Sequence, residues 1–408
     1  MYTEKVFYKD SYLTTISAHV ISCGTDENRL YVILDKTIAH PKGGGQPSDR
    51  GYIELEEERF PILDVVEDDG MVRHYIKTER KIEDFKDKDV ILIIDWKYRL
   101  RNMQYHTALH ILWRSTINVL KNPELVSSAI TEKNGYLVFK YEKAISKDEL
   151  KEIENLTNKV ISENRNVKIR WYDPSEYPGW KVDPITNKVR AIEVEDWDIT
   201  PCGGTHVLHT AEIRLVRVID LEKMKKGVFK LKILAGNDAI ATSLAHEEKY
   251  LALRKEVSTD DIVGYLKKIT SDLESCKKEL LGYQFEFKYN ELRTKLDNFK
   301  VSGYYVIFEK MDIDPNALRN LTKRLTSEYE NMIAVLVTTK PKIVVVGSKS
   351  RNIKNEKINM REIVAEISKK LGGGAGGDKF FATGGGKSID RVDIALKEAR
   401  DKITQVIS

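Results

Sequence analysis

The chain has 408 residues, room for two to four domains and a sizeable core. Its net charge of +4, with 32% charged residues, permits a nucleic-acid partner without requiring one. Three cysteines, an odd number, give no disulfide framework and imply a reducing, cytoplasmic setting. The polar stretch 1–10 does not read as a signal peptide, and no apolar run approaches the ~20 residues of a membrane span.

In chain order, residues 1–96 read as β structure. Short β-branched, alternating runs at 29–37, 51–55, 60–66, 71–76 and 90–95 are divided by glycine, proline or acidic turns, as in a small β-barrel. Inside this region Pro41 leads into Gly43, Gly44, Gly45 and Gln46, with Asp49 close behind. Three glycines let the backbone approach something closely or take φ > 0. Glycines alone favour a plain mobile turn; Gln46 and Asp49, a hydrogen-bonding pair directly after them, tilt the balance toward a binding role.

Residues 97–236 read as an α+β domain. The periodic segment 96–120 predicts a helix, and its His106 and His110, four apart, share one face. Far downstream, Cys202, Gly203, Gly204, Thr205 and His206 put two more metal-binding side chains around a glycine turn. Cysteine and histidine bind zinc well, and four such ligands fill a tetrahedral shell. Strands are expected at 125–131, 136–141, 167–171, 189–194, 211–219 and 228–234. A helix is expected at 146–164 with Ser146 as its N-cap.

Residues 237–300 read as a helical, coiled-coil linker. Leu266, Ile269, Leu273, Cys276 and Leu280 alternate steps of three and four, and the Ser258–Asp261 stretch marks a fresh helix start. Such a seam serves a spacer or a homodimer equally. Residues 301–408 read as a C-terminal α/β module, with strands at 304–308, 333–337 and 343–346 and helices at 315–329, 359–371 and 388–404. Gly373 and Gly374 belong to one glycine run, Gly385 and Gly386 to a second just ahead of the last expected helix, where amides could hold a phosphate. Lys349 and Arg351 lie in a basic run that is a solvated face or a phosphate contact.

The order His-Thr-Ala-x-His, then Cys-Gly-Gly-Thr-His, with Met103 ahead of it, resembles the editing domain of alanyl- and threonyl-tRNA synthetases and of the free-standing alanyl-tRNA editing proteins called AlaX. The glycine motif after Thr37 runs in step with that family, except that Ala39 and His40 replace its usual aromatic pair. Lys230 stands where the family has an arginine, keeping the charge without the planar fork. The last module resembles the C-terminal domain of alanyl-tRNA synthetases and DHH phosphoesterases.

The resemblance implies a trans-editing hydrolase that deacylates mischarged tRNA(Ala), chiefly Ser-tRNA(Ala) and secondarily Gly-tRNA(Ala), at one Zn2+ held by His106, His110, Cys202 and His206. No stretch reads as a class II synthetase core, so no ATP chemistry is expected. A site selecting alanine rejects an added hydroxyl by only about 10²-fold, whereas one that hydrogen-bonds the hydroxyl reaches on the order of 10⁴–10⁵. Thr37 and Gln46 are expected to make that check, with Gly44 and Gly45 beside them. The unpaired acceptor end should enter the pocket while Arg101, Lys230, Lys349, Arg351 and the glycines 373, 374, 385 and 386 contact tRNA. Other readings stay open: an editing enzyme for another aminoacyl-tRNA, or a zinc-stabilised tRNA binder without catalysis. A phosphoesterase would need an Asp-His-His signature that does not occur.

Overall fold

A computed structural model describes residues 2–26 and 29–408. The chain is a multidomain α+β protein that divides into two compact units, Met1–Ala252 and Leu253–Ser408.

In the first unit six strands close into a barrel. They run in the order Thr15–Asp26, Arg29–Leu34, Met71–Ile76, Glu58–Asp68, Gly51–Leu55 and Asp89–Ile94, and the last pairs back on the first. Alternation drives the closure: Val90, Leu92 and Ile94 point inward from one strand, and Ile53 and Leu55 from its neighbour. The strand Thr15–Asp26 was not expected, because its Thr, Ser and His positions dilute the apolar alternation.

Beyond the barrel, helix α1 (Trp96–Leu120) starts where Asp95 accepts a hydrogen bond from the Tyr98 amide. It is buried on nearly every side, so its polar residues must find partners internally. Ser115 and Thr116 do so by donating to carbonyls one turn back. Around α1 stand a four-stranded sheet, ordered Val216–Lys225, Val228–Ala235, Gly135–Lys140 and Glu124–Ile130, and a three-stranded sheet of Val167–Tyr172, Val189–Val194 and Asp198–Pro201. Helix α2 (Lys147–Ser162) opens with Ser146 and Glu149 in a reciprocal cap. The strand expected from residue 211 instead begins at Val216. Before it, Glu212 accepts from the Leu208 and His209 amides, and a 3-10 turn forms over Thr210–Ile213.

Helix α3 (Gly236–Val257) spans the boundary of the two units, and α4 (Ile262–Thr294) begins after Asp261 caps Gly264. The seam residues of α4 are exposed. The second unit is a six-stranded sheet whose central strands, Met332–Thr338 and Ile343–Lys349, are buried throughout. Successive residues of the first of these feed opposite faces. Ile333, Val335 and Val337 meet α6 (Met360–Lys370) and α7 (Val392–Ile407), while Ala334 and Leu336 meet α5 (Pro315–Glu328) and the end of α4. The second glycine triplet is not at a helix start: Phe381–Gly386 is a strand in register with Ile343–Ser348, and α7 begins only after a 3-10 turn. Among the described residues, no helix is long and apolar enough to cross a membrane.

Candidate metal centre and its cavity

Helix α1 presents His106 and His110 one turn apart, with ring centroids separated by 5.3 Å. The hairpin of Val189–Val194 and Asp198–Pro201 delivers Cys202, and the turn after it brings His206 back over His106, centroids 4.4 Å apart. The four donor atoms lie within 4.8 Å of one another. Cys202 Sγ is 3.4 Å from His106 Nε2 and 3.3 Å from His206 Nε2. This donor set fits one soft divalent metal ion.

Hydrogen bonds set which nitrogen each histidine offers. The Thr205 amide donates to Gln46 Oε1 at 3.1 Å, which identifies that atom as the carbonyl oxygen. Gln46 Nε2 in turn donates to the Thr205 hydroxyl at 2.8 Å. His106 Nδ1, 2.7 Å from the same carbonyl oxygen, must carry the proton, leaving its Nε2 lone pair for a metal. The Thr107 hydroxyl donates to Met103 O and therefore accepts from His206 Nδ1 at 3.1 Å, freeing that Nε2 as well. His110 Nδ1 lies 3.8 Å from Asp198 Oδ2, in ion-pair range. Such partners orient metal-binding histidines, and their loss typically costs 10–100-fold in metal affinity. Gln46→Leu is therefore expected to weaken metal binding by about that factor. Competition with a chromophoric chelator measures it, and an unchanged affinity would show that His106 needs no such support.

Charge agrees with this geometry at Cys202, whereas at His110 it favours a proton that a metal ion would have to displace. Burial raises the Cys202 thiol, but the neighbouring His106 and His206 outweigh it and hold the group well below its ordinary value, as a thiolate ligand requires. Burial, then the charge of His106, pushes His206 well down. Burial also lowers His110, yet Asp198 and Cys202 overcome it and raise the group to about 9.

Glycine is needed at two points. A Cβ on Gly204 would sit 2.3 Å from His106 Nδ1 and 2.8 Å from Gln46 Oε1, inside the bond that orients the ligand. Gly45 has φ +80°, and a Cβ there would lie 2.2 Å from Ser128 O. The loop is pinned beneath by a fully buried ion pair, Asp49 with Arg99 of α1. Asp49 also accepts from the His40 amide at 2.6 Å, and Arg99 donates to the carbonyls of Ser11 and Ile38.

A cavity of about 320 Å³ opens beside Cys202. Tyr8, His40, Gly44, Arg190 and Gly203 line its walls, and Trp180 and Lys181 contribute from the long loop after Tyr172. Arg190 is buried and donates to the carbonyls of Cys202 at 2.6 Å and Gly204 at 3.0 Å. Burial first, then the charges of Arg99 and His106, lower His40 to about 3. Thr37 and Gln46 are not among the lining residues. The Thr37 hydroxyl lies 2.8 Å from His74 Nε2 and accepts from the Ala39 amide, and Gln46 is committed to His106 and Thr205.

The expected tRNA contacts fall in separate places. Arg101 is engaged by Asp238 at 2.8 Å, and the Lys230 ammonium lies 3.9 Å from the Tyr136 ring centroid. In the second unit Lys349 and Arg351 share a cavity of about 520 Å³ with Phe380 and Phe381. Gly373 lies against Gly385, where a Cβ would meet the carbonyl oxygen at 2.1 Å, and Gly386 lies against Leu371. Gly374 O accepts from the Gly385 amide at 3.1 Å. Sequence reasoning missed Asp198, Thr107 and Arg190. Thr107 sits inside the histidine motif and Asp198 four residues before Cys202, but Arg190 carries no local signal.

Three family models match the chain: "tRNA synthetases class II (A)" over residues 7–98, "Threonyl and Alanyl tRNA synthetase second additional domain" over 189–231, and "DHHA1 domain" over 302–405. The first falls on the barrel, a stretch in which the sequence alone showed no synthetase core. The chain is thus assembled from parts that aminoacyl-tRNA synthetases also carry. It is 27% identical to an alanine–tRNA ligase of Aeropyrum pernix, covering 98% of this chain and 46% of that protein. To one of Saccharolobus islandicus it is 30% identical, covering 99% and 44%. The chain therefore spans less than half the length of these ligases. Its end-to-end resemblance is to the AlaX-type editing proteins in their long form: it is 28% identical to the alanyl-tRNA editing protein AlaX-L of Pyrococcus horikoshii, covering 98% of this chain and 99% of that one. A solved structure, the C-Ala domain from Aquifex aeolicus alanyl-tRNA synthetase, is 29% identical over 26% of this chain and 96% of that one, with a TM-score of 0.24.

Proposed function

We propose that this protein is an aminoacyl-tRNA deacylase that hydrolyses mischarged tRNA(Ala), chiefly Ser-tRNA(Ala) and secondarily Gly-tRNA(Ala), at a zinc site. The observation that carries it is the group of His106, His110, Cys202 and His206, of which Cys202 lines a cavity large enough for an aminoacylated ribose. The AlaX-L relative supports alanyl-tRNA editing. Hydrolysis adds water across the ester: hydroxide goes to the acyl carbon and the proton to the departing ribose oxygen.

Within that reading, Gln46, Thr107 and Asp198 hold the histidine rings so that their free nitrogens converge, and Arg190 fixes the loop carrying Cys202. When bound, zinc would supply Lewis-acid polarisation of the ester carbonyl or of a water. The cavity wall is cationic, with Lys5, Lys42, Lys181 and Arg190 against Glu67 and Asp183, which suits the phosphate of an entering acceptor end. Lys349 and Arg351, beside Phe380, would hold tRNA elsewhere, with Arg101, Lys230 and the paired glycines in supporting contacts. The same reading places the domains at 1–96, 97–236, 237–300 and 301–408, the protein in the cytoplasm, and a homodimer through the α4 seam or the C-terminal domain.

The test is the rate at which metal-replete protein deacylates Ser-tRNA(Ala) and Ala-tRNA(Ala). Rapid loss of serine with alanine spared is expected. Four protein ligands can also close a zinc shell without catalysis. Zinc with no hydrolysis of either ester would make the protein a zinc-stabilised tRNA binder instead.

A further inference from the structure

The long loop after Tyr172 brings one exposed tryptophan to the cavity that Cys202 lines. Trp180 is 52% exposed and, among the described residues, packs its ring against no other ring and no cation. A single exposed apolar residue is ordinary on a surface. This one is held in place on both sides. Lys181, next in the chain, pairs with Glu67 of the barrel at 2.7 Å, and Glu67 takes Lys5 at 2.7 Å as well. Just beyond, Asp183 accepts from the Ile185 and Thr186 amides. On the near side the Trp180 amide donates to Tyr177 O, and the Tyr177 ring stands edge-on to Tyr172. The loop thus spends its bonds on presenting a bare indole to the cavity.

Charge marks what that ring would meet. Lys5 and Lys181 share Glu67, and Arg190 is occupied by backbone carbonyls. Lys42 lines the same cavity, is exposed, and pairs with no carboxylate among the described residues. Beside it Gly44 has open space where a Cβ would stand. A free aromatic face and a free cation on one cavity are the two contacts a nucleotide makes, base on ring and phosphate on ammonium.

We infer that Trp180 is the platform on which the terminal base of the acceptor end stacks, with Lys42 taking the adjoining phosphate. The ribose and its acyl group then lie inward, toward Cys202. Stacking holds the ester without reading its amino acid, so the ring should raise the rate on every aminoacyl ester alike. The inference rests on the deacylase reading.

The test compares the wild type, Trp180→Ala and Trp180→Phe, each melted to confirm the fold. Trp180→Ala should lower kcat/KM on Ser-tRNA(Ala) by roughly 5- to 150-fold, the worth of one stacked base, and leave the Ser:Ala ratio unchanged. Trp180→Phe keeps a ring and should keep most of the rate. Fluorescence gives a readout that needs no cleavage. AMP should quench part of the wild-type tryptophan emission, ribose 5-phosphate should not, and the quenching should vanish in Trp180→Phe, which lacks that indole. An undiminished rate in Trp180→Ala, a shifted Ser:Ala ratio, or AMP quenching that is absent or equal in wild type and Trp180→Phe overturns the inference and leaves the deacylase reading standing. A wild type inactive on every ester overturns the deacylase reading instead, and the fluorescence still decides whether Trp180 meets a base.

Discussion

Cys202→Ala should strip the protein of its metal and of deacylation together, with the rate on Ser-tRNA(Ala) falling by at least roughly 10²-fold. That bound follows from the partners of the ligands: removing a group that merely orients a histidine costs up to about 100-fold in metal affinity, and removing a ligand should cost more. Cys202 is also the anionic member of the four, held as a thiolate by His106 and His206. Metal content by elemental analysis and deacylation by release of labelled serine are the two readouts, and they should fall in parallel. The fold should survive, because the residues packed around the site, among them Leu109, Leu112, Ile192 and Val207, form an apolar core that needs no ion. Full zinc occupancy with undiminished deacylation would remove Cys202 from the site.

The cluster of His106, His110, Cys202 and His206 was legible because its chemistry is local. Histidines four apart on a helix share a face whatever the helix packs against, and a cysteine and a histidine around two glycines stay together in any turn. Helix α1 was legible for a similar reason, since its apolar spacing runs through one unbroken segment. What the sequence hid is contact across distance. Gln46 and Thr205 are 159 residues apart, and Gln46 and His106 are 60 apart. Nothing local marks Gln46 as a hydrogen-bond partner of His106 rather than of a substrate. Arg190 was silent because an arginine in a strand is ordinarily exposed; only the fold shows it buried under the Cys202 turn. Glycines misled only about secondary structure. Gly385 and Gly386 resembled a phosphate loop, yet their backbone is spent in a strand pair and on close approach to Gly373 and Leu371.

Asp49→Ala should destabilise the first unit by about 3–5 kcal/mol, because it leaves the guanidinium of Arg99 buried without its counter-charge. For a unit of this size that corresponds to a fall in Tm of roughly 6–20 °C, read by calorimetry on the full chain. Arg99 joins α1 to Ser11 and Ile38, and Asp49 joins it to the base of the glycine loop through the His40 amide. The substitution should therefore loosen the cavity wall, and metal affinity should fall along with stability. Asp49→Ala combined with Arg99→Met separates charge burial from simple loss of contact. With no charge left to strand, the double variant should be more stable than Asp49→Ala alone. If the two losses merely add, the pair is a packing contact, and its charges do not bind the glycine loop to the helix that carries the histidines.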